Sequence, residues 1–254
     1  MHDQLRFDLC CGARALYRAG LSVGIAGHLS IGVGENRMLA NRFGPSFGTL
    51  TPSDVLLLDW DGHLLDGRGA VNETIRLHGV IHKRNPSIVG VAHTHPPATV
   101  TLGTFRVLPE IWDQEGCLLA NDVTVAEEDY SGLAASEDRI SPFAEALRTH
   151  NAIILPNHGA ITTGPSIKVA IFRMLTLEGM AQRHLAVANA ARATGLTPRA
   201  IAPSVAAQTR HELETLIATH GAMDLIWADL LGKLAVSDPD LFARQEMGVR
   251  VADG

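Results

Sequence analysis

The sequence predicts an α/β fold: a single-domain α/β/α sandwich around a mixed, largely antiparallel sheet. Short β-rich segments are concentrated in the first 160 residues, and helical patterns lie at both ends of the chain, as expected when helices cover a sheet. A length of 254 residues and a hydrophobic content of 46% suit one large domain over residues 1–254. The last part of this domain, from about residue 203, is predicted to be a helical tail.

The first half of the chain is predicted to alternate helices with short strands. Apolar residues at helical or alternating spacing, a turn at Asp61–Gly62 and a capping residue at Asn72 mark these elements. They are a helix over 3–19, a β-hairpin over 26–41, a second strand pair over 55–67 and a helix over 72–84.

The second half is predicted to contribute further strands and a long helix. Apolar, β-rich runs predict strands over 87–95, 123–125 and 151–159. A helix begins at Ser166, repeats apolar residues at helical spacing, and ends at Gly195, which precedes a Pro-containing break.

The charge pattern excludes several classes of partner. Lys and Arg total 21 against 27 Asp and Glu, a formal net charge of −6 without long runs of either sign, which argues against nucleic acid and anionic membranes. Apolar runs such as VLLL at 55–58 are far shorter than the ~20 residues that span a bilayer. The start MHDQLRFDLC lacks a signal-peptide core, so we expect a cytoplasmic protein.

The three cysteines predict no disulfide framework. Cys10, Cys11 and Cys117 are odd in number and contain no CxxC pair, which suits a reducing compartment. Cys10 and Cys11 lie in a predicted helix without a nearby base, so we expect them to be buried small hydrophobes.

The segment VAHTHPPA at 91–98 carries the first candidate metal ligands. Alternate residues of a strand share a face, so His93 and His95 would point the same way. In AIILPNHGAITTG, Gly159 allows a sharp turn that leaves His158 at the mouth of a strand, as a natural third ligand. Three neutral imidazoles suit Zn²⁺, Mn²⁺ or Fe²⁺ and leave positions open for substrate oxygens. Ordinary strand-end and loop histidines remain the alternative.

A second histidine pair forms a rival site. His78 and His82 share one face of the helix over 72–84, whereas Glu73 lies about 140° from His78 on that helix. The pair lacks the HExxH arrangement, and RLHGVIHKR is interpreted as a partly solvated helix face.

The order of these motifs resembles the class II aldolase/adducin family. Glu73, the HTHP at 93–96 and LPNHGAITTG follow one another as in that family. AGHLSI resembles its GNxS-type loop, LTPSDVLLLD its TPS segment, and YSG at 130–132 and the helix after 166 fall where the family has equivalents. The resemblance covers about residues 5–195.

The resemblance implies a fold, a site and an assembly. It implies that His93, His95 and His158 bind one divalent metal per chain, with Zn²⁺ expected before Mn²⁺ or Fe²⁺, and that Glu73 is the acid/base residue. It also implies an α/β/α domain assembled as a homotetramer, with active sites near subunit interfaces.

The departures from the family indicate a substrate without phosphate. Where the sugar-phosphate enzymes hold phosphate, this chain has His28, Ser53–Asp54 and Val71–Asn72, which supply few suitable donors. His28 and either Arg76 or Arg106 become candidates for binding a carboxylate, and Trp112 is a candidate for packing against an aromatic substrate. The predicted substrate-binding residues are Gly27, His28, Ser30, Thr51, Ser53, Asn72, Arg76, Trp112 and Tyr130.

The favoured function is therefore a metal-dependent C–C lyase on a small, non-phosphorylated hydroxy-carboxylate. Decarboxylation of a hydroxylated aromatic or heteroaromatic acid ranks ahead of aldol cleavage, because some relatives decarboxylate such acids. Three alternatives remain: a sugar-phosphate aldolase or epimerase, an Fe²⁺-dependent oxygenase, and a non-catalytic scaffold like the adducin head.

Overall fold

The computed structural model describes residues 2–132 and 136–243. Within these residues the strands form one eight-stranded sheet of order β4-β3-β2-β1-β5-β8-β7-β6. All neighbouring pairs are antiparallel except β6 and β7, which confirms a mixed, largely antiparallel sheet. The strands are β1 (His28–Gly32), β2 (Arg37–Asn41), β3 (Val55–Asp59), β4 (Leu64–Asp66), β5 (Gly90–Thr94), β6 (Val123–Val125), β7 (Ala152–Leu155) and β8 (Gly159–Gly164).

Helices cover both faces of this sheet. Their bounds are α1 (Asp3–Arg18), α2 (Arg76–Arg84), α3 (Pro97–Thr104), α4 (Glu137–Ala146), α5 (Ile167–Thr194), α6 (Pro203–His220) and α7 (Ala222–Ser237). Short 3₁₀ turns lie over Phe47–Thr49, Pro52–Asp54, Glu73–Ile75 and Glu115–Leu119. Residues 244–254 of the predicted helical tail lie outside the described residues.

The two faces of the sheet bury separate apolar clusters because strand residues alternate sides. Ala92 of β5 and Ile154 of β7 pack in the cluster with α1, α5 and α7. Their neighbours Val91 and Ile153 pack in the cluster with α2 and α4. This alternation produces the three layers of the predicted sandwich.

Several elements differ from the sequence-based prediction. Strand β8 and helices α3 and α4 were not predicted, and Glu73 lies in a 3₁₀ turn before α2 instead of in its first α-helical turn. The Asn72 side chain caps this turn by accepting from the Thr74 N–H at 3.0 Å. A tighter first turn is common at helix N-termini.

The cysteine prediction agrees with the structure. Cys10, Cys11 and Cys117 are all free and buried. Burial raises the pKa of the Cys10 and Cys11 thiols, that of Cys11 to about 12, so both remain protonated and unreactive at neutral pH.

In the described part of the chain, no helix is long and apolar enough to cross a membrane.

A buried ion pair joins the two ends of the described chain. Arg14 of α1 is 3% exposed, and its guanidinium donates to Asp238, after α7, at 3.0 Å and to Asp240 at 2.7 Å. Arg18 also donates to Asp238, at 3.0 Å. Hydrogen bonds from Arg18, Ser237 and Arg14 outweigh burial and lower the pKa of Asp238 to about 2.

We expect Asp238→Asn to lower the free energy of unfolding at pH 7 by about 3 kcal/mol, because it leaves Arg14 buried with less negative charge. Since the folded pKa of Asp238 is depressed from 3.8 to about 2, the contribution of its ionisation is present above pH 4 and is lost as the pH falls toward 2. Urea unfolding at both ends of this pH window measures the effect. Asp229→Asn, which removes an exposed pair with Lys233, is the matched control and should cost about 0.5 kcal/mol or less. Equal losses in the two variants would contradict the prediction.

Candidate metal centre

Strand β5 positions two of the predicted ligands at the middle of the sheet. It pairs with β1, opposing His93 to His28, and with β8, opposing Thr94 to Ala160. His93 is the fourth residue of β5, and His95 follows the strand directly. Both side chains project to the same side, as the alternation of the strand predicts.

A tight turn between β7 and β8 positions the third predicted ligand. Asn157 has a left-handed φ of 56°, which reverses the chain just before His158. A Cβ on Gly159 would lie 2.7 Å from Cδ2 of His95 and would also meet the carbonyl oxygen of Thr94. Glycine is therefore required here for His158 to approach the end of β5.

The three histidines converge on one point. The candidate ligand nitrogens of His93, His95 and His158 all lie within 4.8 Å of one another. The ring centroids are 5.2 Å apart for His93 and His95, 4.8 Å for His93 and His158, and 5.1 Å for His95 and His158. Such a cluster can surround a single ion.

The protonation states also suit a metal. His93 Nδ1 donates to the Ala160 carbonyl at 3.0 Å, which leaves the lone pair of Nε2 free. His95 Nε2 is buried and has no hydrogen-bond partner within the described residues, an arrangement that a bound cation would satisfy. Burial lowers the pKa of all three rings, and the pKa of His158 falls to about 4, so the imidazoles are neutral at pH 7. The donor set fits a divalent transition metal.

A second cluster with ligand chemistry lies on the surface. Asp59, Asp61 and His63 also bring candidate atoms within 4.8 Å. Here the Asp59 carboxylate already accepts from the Asp61 and His63 N–H groups and lies 2.8 Å from His63 Nδ1. These contacts account for the cluster as a turn at the end of β3.

The histidine cluster opens into a cavity of about 520 Å³. Of the predicted residues, Gly27, His28, Asn72 and Glu73 line it together with the three histidines. Val71, which the sequence analysis placed where a phosphate donor is missing, also lines it. Sequence reasoning missed the remaining wall residues, for which apolar character gave the only signal except at Thr74: Ile25, Ala26, Phe43, Thr74 and Leu77. Within the described residues, the cavity lining contains no Lys and no Arg.

Three predicted hydroxyl residues are engaged elsewhere. Thr51 and Ser53 are hydrogen-bonded to each other at 2.8 Å, and Thr51 also donates to Asp54 at 2.7 Å in a capping box. Ser30 is buried between His78 and His82. The structure does not bring these side chains into the lining of the cavity.

The predicted cations and Trp112 also lie away from the cavity lining, whereas Tyr130 approaches His158. Arg76 is exposed and lines a neighbouring groove, and Arg106 donates to the Ala126 carbonyl and to Asp129. Trp112 lies beside His184, with ring centroids 6.3 Å apart, away from the cavity lining. The Tyr130 ring is 53% exposed and its centroid lies 5.8 Å from that of His158, in an adjoining pocket.

The interpretation of His78 and His82 as a partly solvated helix face was wrong. Both are buried, at 0% and 2% exposure. They turn toward β1, where Ser30 Oγ lies 2.7 Å from His78 Nδ1 and 2.8 Å from His82 Nε2. The pattern could not show this, because α2 packs its histidines on the sheet and leaves Arg76 outside.

Comparison with known proteins identifies the family. Residues 7–185 match the Class II Aldolase and Adducin N-terminal domain family. The chain belongs to this family. The match confirms the resemblance seen in the motifs, and the solved structures below confirm the predicted fold.

Relatives in the class II aldolase/adducin family carry names of different reactions. The chain is 31% identical, over 68% of its length, to a 4-hydroxy-3-prenylphenylpyruvate oxygenase/4-hydroxy-3-prenylbenzoate synthase from Streptomyces roseochromogenus subsp. oscitans. It is 30% identical over 68% of its length to Decarboxylase NovR from Streptomyces niveus, and 29% identical over 74% to a 3,4-dihydroxyphthalate decarboxylase from Arthrobacter keyseri. The matches span 64%, 66% and 81% of those proteins.

Solved structures share the fold. An L-fuculose 1-phosphate aldolase from Glaciozyma antarctica aligns with a TM-score of 0.73 and 27% identity, over 84% of this chain and 82% of that one. An aldolase II superfamily protein from Pseudomonas syringae aligns with a TM-score of 0.81 and 24% identity, over 94% and 95%.

We expect His93→Ala, His95→Ala and His158→Ala each to reduce bound metal from about one ion per chain to near none, since each removes one of three protein ligands. Mass-spectrometric metal analysis of the purified protein measures the loss, and circular dichroism checks the fold. The control is His211→Ala, an exposed histidine on α6, which should retain the ion. Full metal occupancy in all three variants would refute the site.

Proposed function

We propose that this protein is a metal-dependent C–C lyase that acts on a non-phosphorylated hydroxy-carboxylate, and that decarboxylation of a hydroxylated aromatic or heteroaromatic acid is its reaction. One observation carries the proposal. The three convergent histidines and Glu73 line one cavity whose described lining has apolar walls and no Lys or Arg.

The lining argues against a phosphate. A phosphate dianion needs cations, N–H donors or hydroxyls, whereas Ile25, Phe43 and Val71 offer none on their side chains. The hydroxyl of Thr74, which also lines the cavity, is already engaged with His28 and Asn72. The nearby guanidinium of Arg42 donates to Asp54 at 2.7 Å, and Asp54 also accepts from Thr51. The charge of Arg42 is therefore balanced within the protein.

The same walls suit a planar aromatic acid. Phe43 and Ile25 are about half exposed, and together with Val71 they present apolar surface that an aromatic ring can cover. Two of the relatives described above are named as decarboxylases, one of them of a dihydroxyphthalate. These names support decarboxylation ahead of aldol cleavage.

The proposed chemistry divides between the ion and the protein. A divalent cation held by His93, His95 and His158 would supply Lewis acidity for the negative charge that develops when the C–C bond breaks. Burial keeps the three imidazoles neutral, so each has an unprotonated ring nitrogen whose lone pair is available to the ion. The Glu73 carboxyl group, on the cavity wall, would donate a proton to the carbanion carbon that remains when carbon dioxide leaves, which gives the product. Glu73, which is exposed, would then take up another proton from solvent.

The proposal extends to the cofactor and the assembly. Each chain would hold one divalent ion, with Zn²⁺ favoured and Mn²⁺ or Fe²⁺ compatible with three neutral imidazoles. We further expect a homotetramer, as the family resemblance implies, and a cytoplasmic location. Size-exclusion chromatography with light scattering measures the assembly.

One observation favours a second candidate, an Fe²⁺-dependent oxygenase. The relative that is 31% identical to this chain is named as an oxygenase. Three neutral ligands leave open positions on iron. Oxygen consumption by the Fe²⁺-loaded protein with a hydroxylated aromatic acid would support this candidate, whereas carbon dioxide release without oxygen uptake would support the lyase.

We expect Glu73→Gln to keep its metal and to lower turnover by at least ~10²-fold, because a positioned acid/base residue contributes roughly 10²–10⁴. The amide preserves the shape of the side chain and removes the transferable proton. Glu212→Gln, an exposed position on α6, is the matched control and should leave turnover unchanged. Turnover of Glu73→Gln within a few-fold of wild type would exclude Glu73 as the proton donor.

We expect hydroxylated aromatic carboxylates to raise the melting temperature, and a ketose 1-phosphate to raise it no more than inorganic phosphate does. A ligand at 100 times its Kd adds ~2.7 kcal/mol to the free energy of unfolding, which a thermal-shift assay detects. Carbon dioxide release that depends on metal and on Glu73 would establish the decarboxylase. Efficient cleavage of the ketose 1-phosphate would restore the sugar-phosphate aldolase.

A further inference from the structure

A buried chain of hydrogen bonds runs from the interior to the wall of the cavity. Its members are His82, Ser30, His78, His28 and Thr74, joined by contacts of 2.8, 2.7, 2.8 and 2.9 Å in that order. At the inner end, His82 Nδ1 lies 3.0 Å from the carbonyl oxygen of Ile88. At the outer end, His28 and Thr74 line the cavity.

The inner end fixes the direction of every hydrogen bond in this chain. A carbonyl oxygen only accepts, so His82 Nδ1 carries the hydrogen and donates to Ile88. The rings of His82, His78 and His28 are 2%, 0% and 4% exposed, and none of their hydrogen-bond partners is a carboxylate that could balance a positive charge. Each ring is therefore neutral and carries one N–H. His82 Nε2 must then accept from the hydroxyl of Ser30.

The same reasoning continues outward. The Ser30 hydroxyl donates its single hydrogen to His82, so its oxygen accepts from Nδ1–H of His78. His78 Nε2 then accepts from Nδ1–H of His28. This leaves His28 Nε2 without a hydrogen, as an acceptor that faces the Thr74 hydroxyl.

The outer end is short of one hydrogen. We call His28 Nε2, Thr74 Oγ1 and Asn72 Oδ1 the acceptor corner. Thr74 Oγ1 lies 2.9 Å from His28 Nε2 and 2.8 Å from Asn72 Oδ1, and its single hydrogen cannot serve both acceptors. Asn72 Oδ1 receives the Thr74 N–H at 3.0 Å but has a second lone pair.

We propose that the acceptor corner is a binding subsite for a hydroxyl group of the substrate, which donates its hydrogen to Thr74 Oγ1 or Asn72 Oδ1. The inference rests on the proposed function, because it concerns the substrate of the same cavity. A hydroxyl supplies the missing hydrogen, whereas an ether, a phosphate dianion or a carboxylate presents only lone pairs to oxygens that already lack a donor.

His78, Ser30 and His82 act as positioning residues in this arrangement. They do not line the cavity, and they determine through His28 whether the corner accepts or donates. Without the Ser30 hydroxyl, His78 can carry its hydrogen on Nε2 and donate to His28 Nδ1. His28 can then donate from Nε2 to Thr74, whose hydroxyl is free to serve Asn72, and the shortage disappears.

Calorimetric titration of the zinc-loaded protein with 3- and 4-hydroxybenzoate and their methyl ethers tests the subsite. In wild type, at least one hydroxybenzoate should bind roughly tenfold more tightly than its methyl ether. The ether keeps the oxygen atom but lacks the hydroxyl hydrogen that the acceptor corner needs. In Ser30→Ala this ratio should fall below about threefold. Ser141→Ala, which changes a partly exposed serine on α4, is the matched control and should retain the wild-type ratio.

Neutron diffraction from deuterium-exchanged crystals of the wild-type protein tests the same inference without a variant. A deuterium on His28 Nδ1 and none on Nε2 supports it, and a deuterium on Nε2 overturns it. A wild-type ratio near one for both pairs, or an unchanged ratio in Ser30→Ala, also overturns it. If the wild-type protein prefers the hydroxybenzoate but releases no carbon dioxide from hydroxylated aromatic acids, the proposed function is wrong and the hydroxyl subsite is still supported.

Discussion

The central position of strand β5 is the constraint on which the site depends. β5 is hydrogen-bonded to β1 on one side and to β8 on the other, so its register is fixed along both edges. A shift of one residue would turn His93 to the opposite face of the sheet. Because β8 begins at Gly159, the pairing of β5 with β8 also brings His158 to the end of β5. One set of backbone hydrogen bonds thus assembles residues from distant parts of the chain.

Close packing of α2 on this sheet gives the site its electrostatic character. A Cβ on Gly79 would collide with the backbone carbonyl of Trp60, and one on Gly32 would lie 3.2 Å from Nδ1 of His82. The two glycines let the helix and the sheet approach until His78 and His82 are buried. Burial keeps these rings neutral, and neutrality makes the hydrogen-bond directions between Ile88 and His28 definite.

The family relationship leaves the substrate to be decided by the cavity. A solved relative is named for a sugar phosphate, and others are named for decarboxylation or oxygenation of aromatic compounds. A common fold supports different reactions when the residues that line its site change. In this chain His28, Val71 and Phe43 belong to a neutral, largely apolar part of the cavity wall.

The sequence by itself determined the elements with strong local signals. Periodicity, caps and glycines within a few residues predict the helix from Ser166 to Gly195 and the hairpin before Asn41. The HTHP and NHG motifs are visible directly in the sequence. The tertiary structure alone decided the features that depend on contacts between distant segments. Helix α3 begins at Pro97, and its N–H groups at Ala98 and Thr99 are satisfied by buried Glu178 of α5. Whether Ser30, Thr51 or Arg76 reaches the cavity likewise depends on the side to which packing turns each side chain, and a linear pattern does not specify this.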